Sequence, residues 1–514
     1  MMTYRLFASL ALPLWLAACA TPARPPVVAL PTPTQWQAPL PHQGSTEHLS
    51  RWWQQLNDPL LVALIDAAQA ESPTLATARS RALQARAARA TARAALLPSL
   101  DASANASRGF NESAGGLAST AQGLLQAGWE ADLFGANRAT VAAARARAEG
   151  AEAGWHDARV SVTAEVANAY FSLRSCERQL AVAQSDAGSR AETSRLTELS
   201  TRAGFQAPAT AALARASSAE ASARVTQQRA LCDLDVKALV ALSAIDEAVL
   251  RRRLAEVPAQ APGMPPALFA VAAVPAGMLA QRPDLHTAER EVAAASAEVD
   301  NAYAQRYPRL SLNGSIGTAY LRVGGAGTSF NTWSIGPVAV SLPIFDGGRR
   351  AAGEASAEAR YDEAAALYRA KARQAVREVE EALVNLDSAA NRLGDASTAV
   401  EGYRLSFNAT QARYQGGLAS LVELEDARRQ QLASQTALLS LERERWLAWV
   451  ALYRAVGGGW SAADAAMPDA AAPAGVTASD VPHLAAIAQR SAPPAPPALP
   501  VPVAPGPGPA KTQP

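Results

Sequence analysis

Few side chains in this chain could carry chemistry, and none falls into a catalytic or metal-binding pattern. Five histidines are scattered without metal-ligand spacing, at positions 42, 48, 156, 286 and 483. The sequence has no Gly-rich nucleotide loop and no G-x-S-x-G nucleophile turn. The 47 Lys and Arg residues nearly balance the 46 Asp and Glu residues, so net charge favours no nucleic-acid partner. We therefore expect no enzyme, no catalytic residue and no metal site.

Cys176 and Cys232 are candidates for a disulfide bond. Cys176 lies 28 residues before Gly204, and Cys232 lies 28 residues after it. In an antiparallel helix hairpin that turns at Gly204, the two positions face each other at the same height. Packed helices can bring inward-facing residues within disulfide distance, and an oxidising compartment would then bridge them. The alternative is two buried free thiols that act as small apolar side chains.

Cys19 closes an N-terminal segment with the pattern of an export signal. Arg5 precedes a short apolar run that is too short to anchor the chain as a membrane-spanning helix. Leu16-Ala17-Ala18-Cys19 resembles the lipobox of bacterial lipoproteins, in which the Cys becomes the lipid-modified first residue after cleavage. In lipoproteins that stay in the inner membrane, an Asp usually follows the lipid-modified Cys. Ala20 stands at that position here, so the resemblance favours the outer membrane. An ordinary signal peptide with an incidental Cys is the alternative.

Most of the chain is predicted to form long helices. No proline occurs at positions 99–207 or 344–467, and these tracts are rich in strong helix formers. The windows 138–201 and 349–415 therefore predict helices of about 60–65 residues, or about 90–100 Å. Their apolar positions are mostly Ala instead of a Leu/Ile heptad, which favours broad helix–helix contacts over one two-stranded coiled coil.

The chain also repeats itself. Leu97-Pro98-Ser99-Leu100 matches Tyr307-Pro308-Arg309-Leu310, and Phe134-Gly135-Ala136-Asn137-Arg138 matches Phe345-Asp346-Gly347-Gly348-Arg349. Each half then predicts a helix, a strand pair, a long helix, a Gly turn and a second long helix. The expected domains are a signal peptide (1–18), a lipidated Pro-rich tether (19–45), two repeats (46–255 and 256–460) and a disordered Pro/Ala-rich tail (461–514).

The predicted strands alternate between apolar and small polar residues. In the second half, the strand that contains Leu310 to Tyr320 and the strand that ends at Ile344 show this clearly; in the first half, 100–108 and 124–133 show it weakly. The Gly/Ser-rich segments 111–122 and 322–331 predict loops between the strands of each pair. Such strands fit a transmembrane β-barrel, although a soluble hairpin explains the alternation equally well.

Barrel closure sets a condition on assembly. Four strands in one chain cannot close a barrel, because single barrels have at least eight strands, and lipid does not tolerate open strand edges. If the strands span a membrane, several chains must share one barrel.

Four further segments point to one family. They are Trp52-Trp53 with Asp58-Pro59, Trp129 to Gly135, Gly277 to Leu285 with its Arg282-Pro283-Asp284 motif, and Leu342 to Arg349. With the lipobox, they resemble the TolC-like outer-membrane factor family, in its NodT-type lipoprotein branch, over roughly residues 45–460. The resemblance implies an α+β protomer made mainly of long helices. Three protomers would each give four strands to a twelve-stranded barrel and long helices to a periplasmic α-barrel, with a mixed equatorial belt near 46–75, 245–282 and 455–465.

The resemblance also implies a function and partners. The protein would be the outer-membrane exit duct of a tripartite efflux pump in a Gram-negative bacterium, and it would passively conduct drugs or other small toxic compounds. Its partners would be a periplasmic adaptor, an inner-membrane pump (commonly of the resistance–nodulation–division type) and outer-membrane lipid, with no cofactor beyond a lipid on Cys19. The alternative is a non-pore periplasmic coiled-coil lipoprotein with a structural or adhesive role. The strand pairs argue against it, because a coiled-coil spacer has no use for them.

Two groups of site residues follow from the resemblance. The turns between the long helices, at Gly204, Phe205, Gly416 and Gly417, would be the tips that the adaptor grips.

Glu423 and Asp426 are three residues apart and share a helix face, and this spacing alone favours a solvated surface. The resemblance implies instead that they close the periplasmic end of the pore together with Val422. Under threefold symmetry each acid becomes a ring that repels anions and concentrates cations. The first tip has Ala211 where an acid is common in the family, so only the second half would supply rings.

Overall fold

The computed structural model describes residues 24–30, 35–39, 53–54, 56, 58–112, 116–257, 279–323 and 325–460. The predicted signal peptide, Cys19 and the Pro-rich tail lie outside these residues. The elements in chain order are α1 (Pro59–Glu71), α2 (Pro73–Ala94), β1 (Ser99–Asn111), β2 (Gly116–Ala131), α3 (Ala136–Arg202), α4 (Pro208–Ser243), α5 (Glu247–Glu256), α6 (Pro283–Ala304), β3 (Arg309–Val323), β4 (Ala326–Ser341), α7 (Arg349–Gln415) and α8 (Leu421–Ala455).

The order of helices and strands repeats in the two halves, as the two pairs of matching motifs predict. In each half a 22-residue helix precedes a strand pair, then a 67-residue helix, then a helix of 36 or 35 residues. The matching motifs that begin at Phe134 and Phe345 lead into the two 67-residue helices. Gly135 and Gly348 take positive φ there, and the carboxylates of Asp132 and Asp346 accept hydrogen bonds from backbone N–H groups of the first turn. The predicted long helices are confirmed, and each sits beside an acid that caps it.

The strands form one antiparallel sheet in the order β1-β2-β3-β4, so β1 and β4 are its edges within the chain. The predicted loops 111–122 and 322–331 are wrong in extent. β2 already begins at Gly116, and β4 begins at Ala326, three residues after β3 ends. Gly and Ser in these segments favour a loop, but the register pairs most of their residues across the ladder, for example Gln122 with Asn105 and Asn331 with Thr318.

The two faces of the sheet differ in polarity. Because directly paired residues point to the same side, the register places a set of exposed large apolar side chains on one face: Leu100, Phe110, Leu117, Leu125, Trp129, Leu312, Ile316, Tyr320, Trp333, Ile335, Val338 and Val340. The opposite face carries mostly small and polar side chains, with Leu124, Leu321 and Phe330 among them, and hydroxyl pairs such as Ser107–Thr120 and Ser315–Ser334 join neighbouring strands. We call these the apolar face and the polar face.

The helices next to the sheet form a curved array. Helix α2 packs on α3, α3 on α6 and α6 on α7, so that α2 and α7 lie at opposite ends. Farther from the sheet, α3 pairs with α4, α7 pairs with α8, and α8 also contacts α3, which joins the two hairpins.

The main core lies at the middle of the long helices. It brings α1 and α5 against α3, α4 and α8, and its buried side chains include Trp53, Leu61, Tyr170, Leu250 and Trp449. The predicted equatorial segments contribute to it. Arg282 of the Arg-Pro-Asp motif is buried here: it donates to both carboxylate oxygens of Asp284, to Glu378 of α7 and to the carbonyl oxygen of Ala455 at the end of α8. The motif therefore fixes the start of α6 against two other helices.

Residues 24–30 and 35–39, which belong to the predicted tether, pack on the helices. The backbone carbonyl of Arg24 accepts a hydrogen bond from Ser296, and that of Pro25 accepts one from Tyr361. Farther along, the carboxylate of Glu380 accepts from the backbone N–H groups of residues 37 and 38. Pro25 and Pro26 have no N–H to donate, and residues 24–30 contact the helices through backbone carbonyls and through Val28 and Leu30, which pack against the α6–α7 core.

Candidate functional site

Both helix hairpins reverse through the same kind of turn. Gly204 and Gly417 take positive φ, and in each turn the next N–H bonds back five residues, from Phe205 to Ser200 and from Leu418 to Arg413. Phe205 and Leu418 then lie on the surface with exposed fractions of 83% and 75%. Gly416 is the helix cap, and only Gly417 needs the conformational freedom of glycine. Each tip thus presents one apolar side chain on a rigid turn.

Glu423 and Asp426 lie just above the second tip, on the exposed side of α8. Their side chains are 54% and 56% exposed, and Val422 beside them is also exposed. Glu423 is part of the helix cap, because Ser420 accepts from its backbone N–H and donates to its carboxylate. Asp426 accepts from Gln430 one turn on. The single chain brings the three residues to one surface, and whether they meet their copies depends on the assembly.

A buried polar cluster lies on the opposite face of the same turn of α8, and the sequence analysis missed it. Glu425 accepts hydrogen bonds from Arg190 of α3, Ser217 of α4 and Arg428 of its own helix. Arg190 also makes two bonds to Asp186, at 2.9 and 3.0 Å. We call Asp186, Arg190, Ser217, Glu425 and Arg428 the tip cluster.

The tip cluster joins the two hairpins. The side chains of Arg190, Glu425 and Arg428 are at most 10% exposed. Arg428 reaches Ser189 and Thr193 of α3 and lies over the ring of Phe407 in α7. Burial lowers the pKa of its guanidinium from the ordinary value, and Glu425 opposes that shift.

A sequence signal for this cluster exists. Leu421, Leu424, Glu425 and Arg428 follow the i, i+3, i+4, i+7 spacing of one helix face, and the two leucines mark that face as buried. An acid and an arginine three residues apart on an apolar face indicate a buried ion pair. Glu423 and Asp426 lie off that face.

The cysteine pair lies in the hairpin of α3 and α4, inside the main core. Cys176 and Cys232 are both buried, their Cα atoms are 5.5 Å apart, and the structure joins them in a disulfide. The side-chain amide of Gln228 donates to the sulfur of Cys176. The structure therefore brings together the two residues that equal spacing about Gly204 selected.

Two further searches of the described residues gave no site. No group of three or more His, Cys, Asp or Glu side chains in this part of the chain could hold a metal ion. Among the same residues, no helix is both long and apolar enough to cross a membrane.

Comparison with known proteins places these features in context. The sequence model of the outer membrane efflux protein family matches residues 64–244 and 274–458. The chain is 31% identical to the outer membrane protein OprJ of Pseudomonas aeruginosa, over 88% of this chain and 95% of that protein. It is 26% identical to nodulation protein T of Rhizobium leguminosarum bv. viciae, over 91% and 96%. The crystal structure of the outer membrane protein VceC from Vibrio cholerae superposes with a TM-score of 0.69 at 27% identity, over 82% of this chain and all of that one.

Proposed function

This chain belongs to the outer membrane efflux protein family, and from that membership we propose that three copies form the outer-membrane exit duct of a tripartite efflux pump. The duct passively conducts drugs or other small toxic compounds that a periplasmic adaptor and an inner-membrane pump deliver to it. The pump is of the resistance–nodulation–division type. Solved structures that resemble this chain are described as outer-membrane channels. A passive duct needs no catalytic residue.

The sheet is the observation that carries the proposal. An apolar face made of large exposed side chains is suited to lipid, and a polar face is suited to a water-filled lumen. Edge strands of 13 and 16 residues leave two long rows of backbone groups without strand partners among the described residues. Pairing β4 of one copy with β1 of the next satisfies both rows. A non-pore coiled-coil lipoprotein, the alternative, has no use for such a sheet.

The packed N-terminal segment supports a lipid anchor at Cys19. Arg24 is held beside Ser296, which lies eight residues, or about 12 Å, before the sheet-side end of α6. Arg24 lies five positions after Cys19, and this stretch can span up to about 17 Å. A lipid on Cys19 can therefore reach the level at which the strands begin and the membrane starts.

The tips supply the surface for the adaptor. Phe205 and Leu418 are apolar, exposed and held on rigid turns, and they lie at the end of the helices opposite to the sheet. We expect them to be the residues that the adaptor grips, and the acids beside them to set the charge of the closed end.

An efflux assay tests this function. The protein and its adaptor and pump are produced in a Gram-negative host without its own duct, and accumulation of a fluorescent pump substrate is measured. The parent should lower accumulation. A Phe205→Asp/Leu418→Asp variant should form trimers and fail to do so, whereas Phe110→Leu, an apolar exchange on the lipid-facing side, should work like the parent. If the parent assembles correctly and accumulation stays as high as in the host without it, the proposal is contradicted.

A further inference from the structure

A large cavity lies where the sheet meets the helices. Its volume is 1290 Å³, and its walls come from α2, α3, α6 and α7 and from the ends of β3 and β4. Because α2 and α7 lie at opposite ends of the helix array, a cavity that touches both must lie on the concave side of that array.

The register of the sheet places this cavity on the side of the lumen. Arg309 and Ser341 line it; they are paired in the register and belong to the polar face of the sheet. Ser296, which holds the N-terminal segment, lies two residues before the lining residue Glu298, and therefore about 200° around α6 on the other side. The segment thus runs on the convex side, and the cavity opens to the inside.

The charge of this inner wall is strongly one-sided. Its charged lining residues are Arg147, Arg309, Arg349, Arg350, Arg360 and a single acid, Glu298. Glu298 pairs with Arg147 at 2.7 Å and lies 4.0 Å from Arg360, and Arg350 pairs with Asp346 at 3.0 Å. Arg309 and Arg349 are exposed and form no ion pair among the described residues.

We propose that these arginines form a cationic collar at the junction of tunnel and barrel, and that the collar binds anionic cargo during its exit. The inference rests on the proposed trimer, in which each of three chains gives two arginines that have no ion pair among the described residues, so that six such arginines surround one lumen. A guanidinium binds carboxylates, sulfonates and phosphates through two parallel hydrogen bonds. A ring of like charge in a narrow lumen raises the local concentration of the opposite ion by about tenfold or more. Small molecules that carry such acidic groups are the predicted cargo class.

Binding of a trisulfonated pyrene dye tests the collar. Fluorescence anisotropy is measured with the detergent-extracted full-length trimer at low salt, where the barrel end admits the dye even if the tips are closed. Arg309→Gln/Arg349→Gln should weaken binding about tenfold, and added salt should weaken binding to the parent. Arg309→Lys/Arg349→Lys keeps the charge and should bind within a few-fold of the parent.

Arg145→Gln is the matched control. It removes one arginine from each chain two residues from Arg147, on the convex side of α3, and should leave dye binding unchanged. The collar is refuted if the parent trimer does not bind the dye, if the double Gln variant binds like the parent, or if Arg145→Gln weakens binding as much. The efflux assay separates the two proposals. A parent that supports efflux without binding the dye contradicts the collar alone, and a parent that binds the dye without supporting efflux contradicts the duct.

Discussion

Replacing Glu425 by Gln should loosen the end of the helical hairpins far more than any exposed acid nearby can. Glu425 is the only carboxylate among the described residues that contacts Arg428, and it shares Arg190 with Asp186. Gln keeps one oxygen that can accept a hydrogen bond but removes the negative charge, so Arg428 stays buried without a carboxylate partner. Removing one member of a buried ion pair costs about 3–5 kcal/mol. Because Arg190 keeps Asp186, we expect the lower end, about 3 kcal/mol.

Hydrogen exchange measured by mass spectrometry suits this prediction, because a large trimer has no single unfolding free energy and local opening can be followed peptide by peptide. A loss of about 3 kcal/mol corresponds to roughly a hundredfold faster exchange. We expect this change in peptides around residues 186–193 and 421–428, while the main core keeps its protection. Asp426→Asn is the control: it removes an exposed acid one residue away, whose ion pair with Arg429 is worth about 0–1 kcal/mol.

A double variant separates charge from packing. Glu425→Leu/Arg428→Met removes both members of the pair and fills similar volume, so its exchange should be slower than that of Glu425→Gln. If Glu425→Gln and Asp426→Asn accelerate exchange equally and by only a few-fold, Glu425 is an ordinary surface acid, and the account of the tip cluster is wrong.

Three further predictions follow from single features. Cys176→Ser should lower the free energy of local opening of the α3–α4 hairpin by about 2–4 kcal/mol under oxidising conditions, read as faster hydrogen exchange in the peptides around residues 176 and 232; alkylatable thiols at both positions of the unreduced parent would refute the bridge. Glu423→Gln/Asp426→Asn should shift the permeability of the trimer in planar bilayers away from cations, and unchanged selectivity would return both residues to the status of surface acids. Burial opposes ionisation of Asp284, but its bonds to Arg282 hold the pKa of that carboxyl below its ordinary value. Its contribution is therefore complete above about pH 4 and lost at lower pH, so the difference in melting temperature between the parent and Asp284→Asn should shrink below pH 4 and not above it.

Much of the fold could be predicted because it depends on local rules. Helices of 67 residues need long tracts without proline, and the sequence has two such tracts, in each of which a Gly turn ends the long helix. Alternation along β3 and β4 was sufficient to place the second strand pair. The extent of β2 could not be predicted, because Ala, Gly and Gln along it pair through the backbone ladder and give little side-chain signal.

The site was predictable only in part, and the reason is physical. The cysteine pair could be predicted because residues that are equally far from the turn of an antiparallel hairpin lie opposite each other on its two helices. The tip cluster joins α8 to residues of α3 and α4 that lie about 210–240 positions before Glu425, and no local pattern on α3 pointed to Arg190. The collar likewise combines arginines from separate elements, and its one-sided charge is visible only when the concave side of the helices is known.

Native mass spectrometry of the protein extracted from outer membranes tests the central claim most directly, because the sheet of one chain has two open edges and an apolar face that only shared closure can satisfy. The account predicts a species of three chains that persists in detergent and carries a lipid mass on each chain. A single chain that is natively folded and soluble without detergent, or a lipidated chain that stays monomeric in detergent, would contradict it.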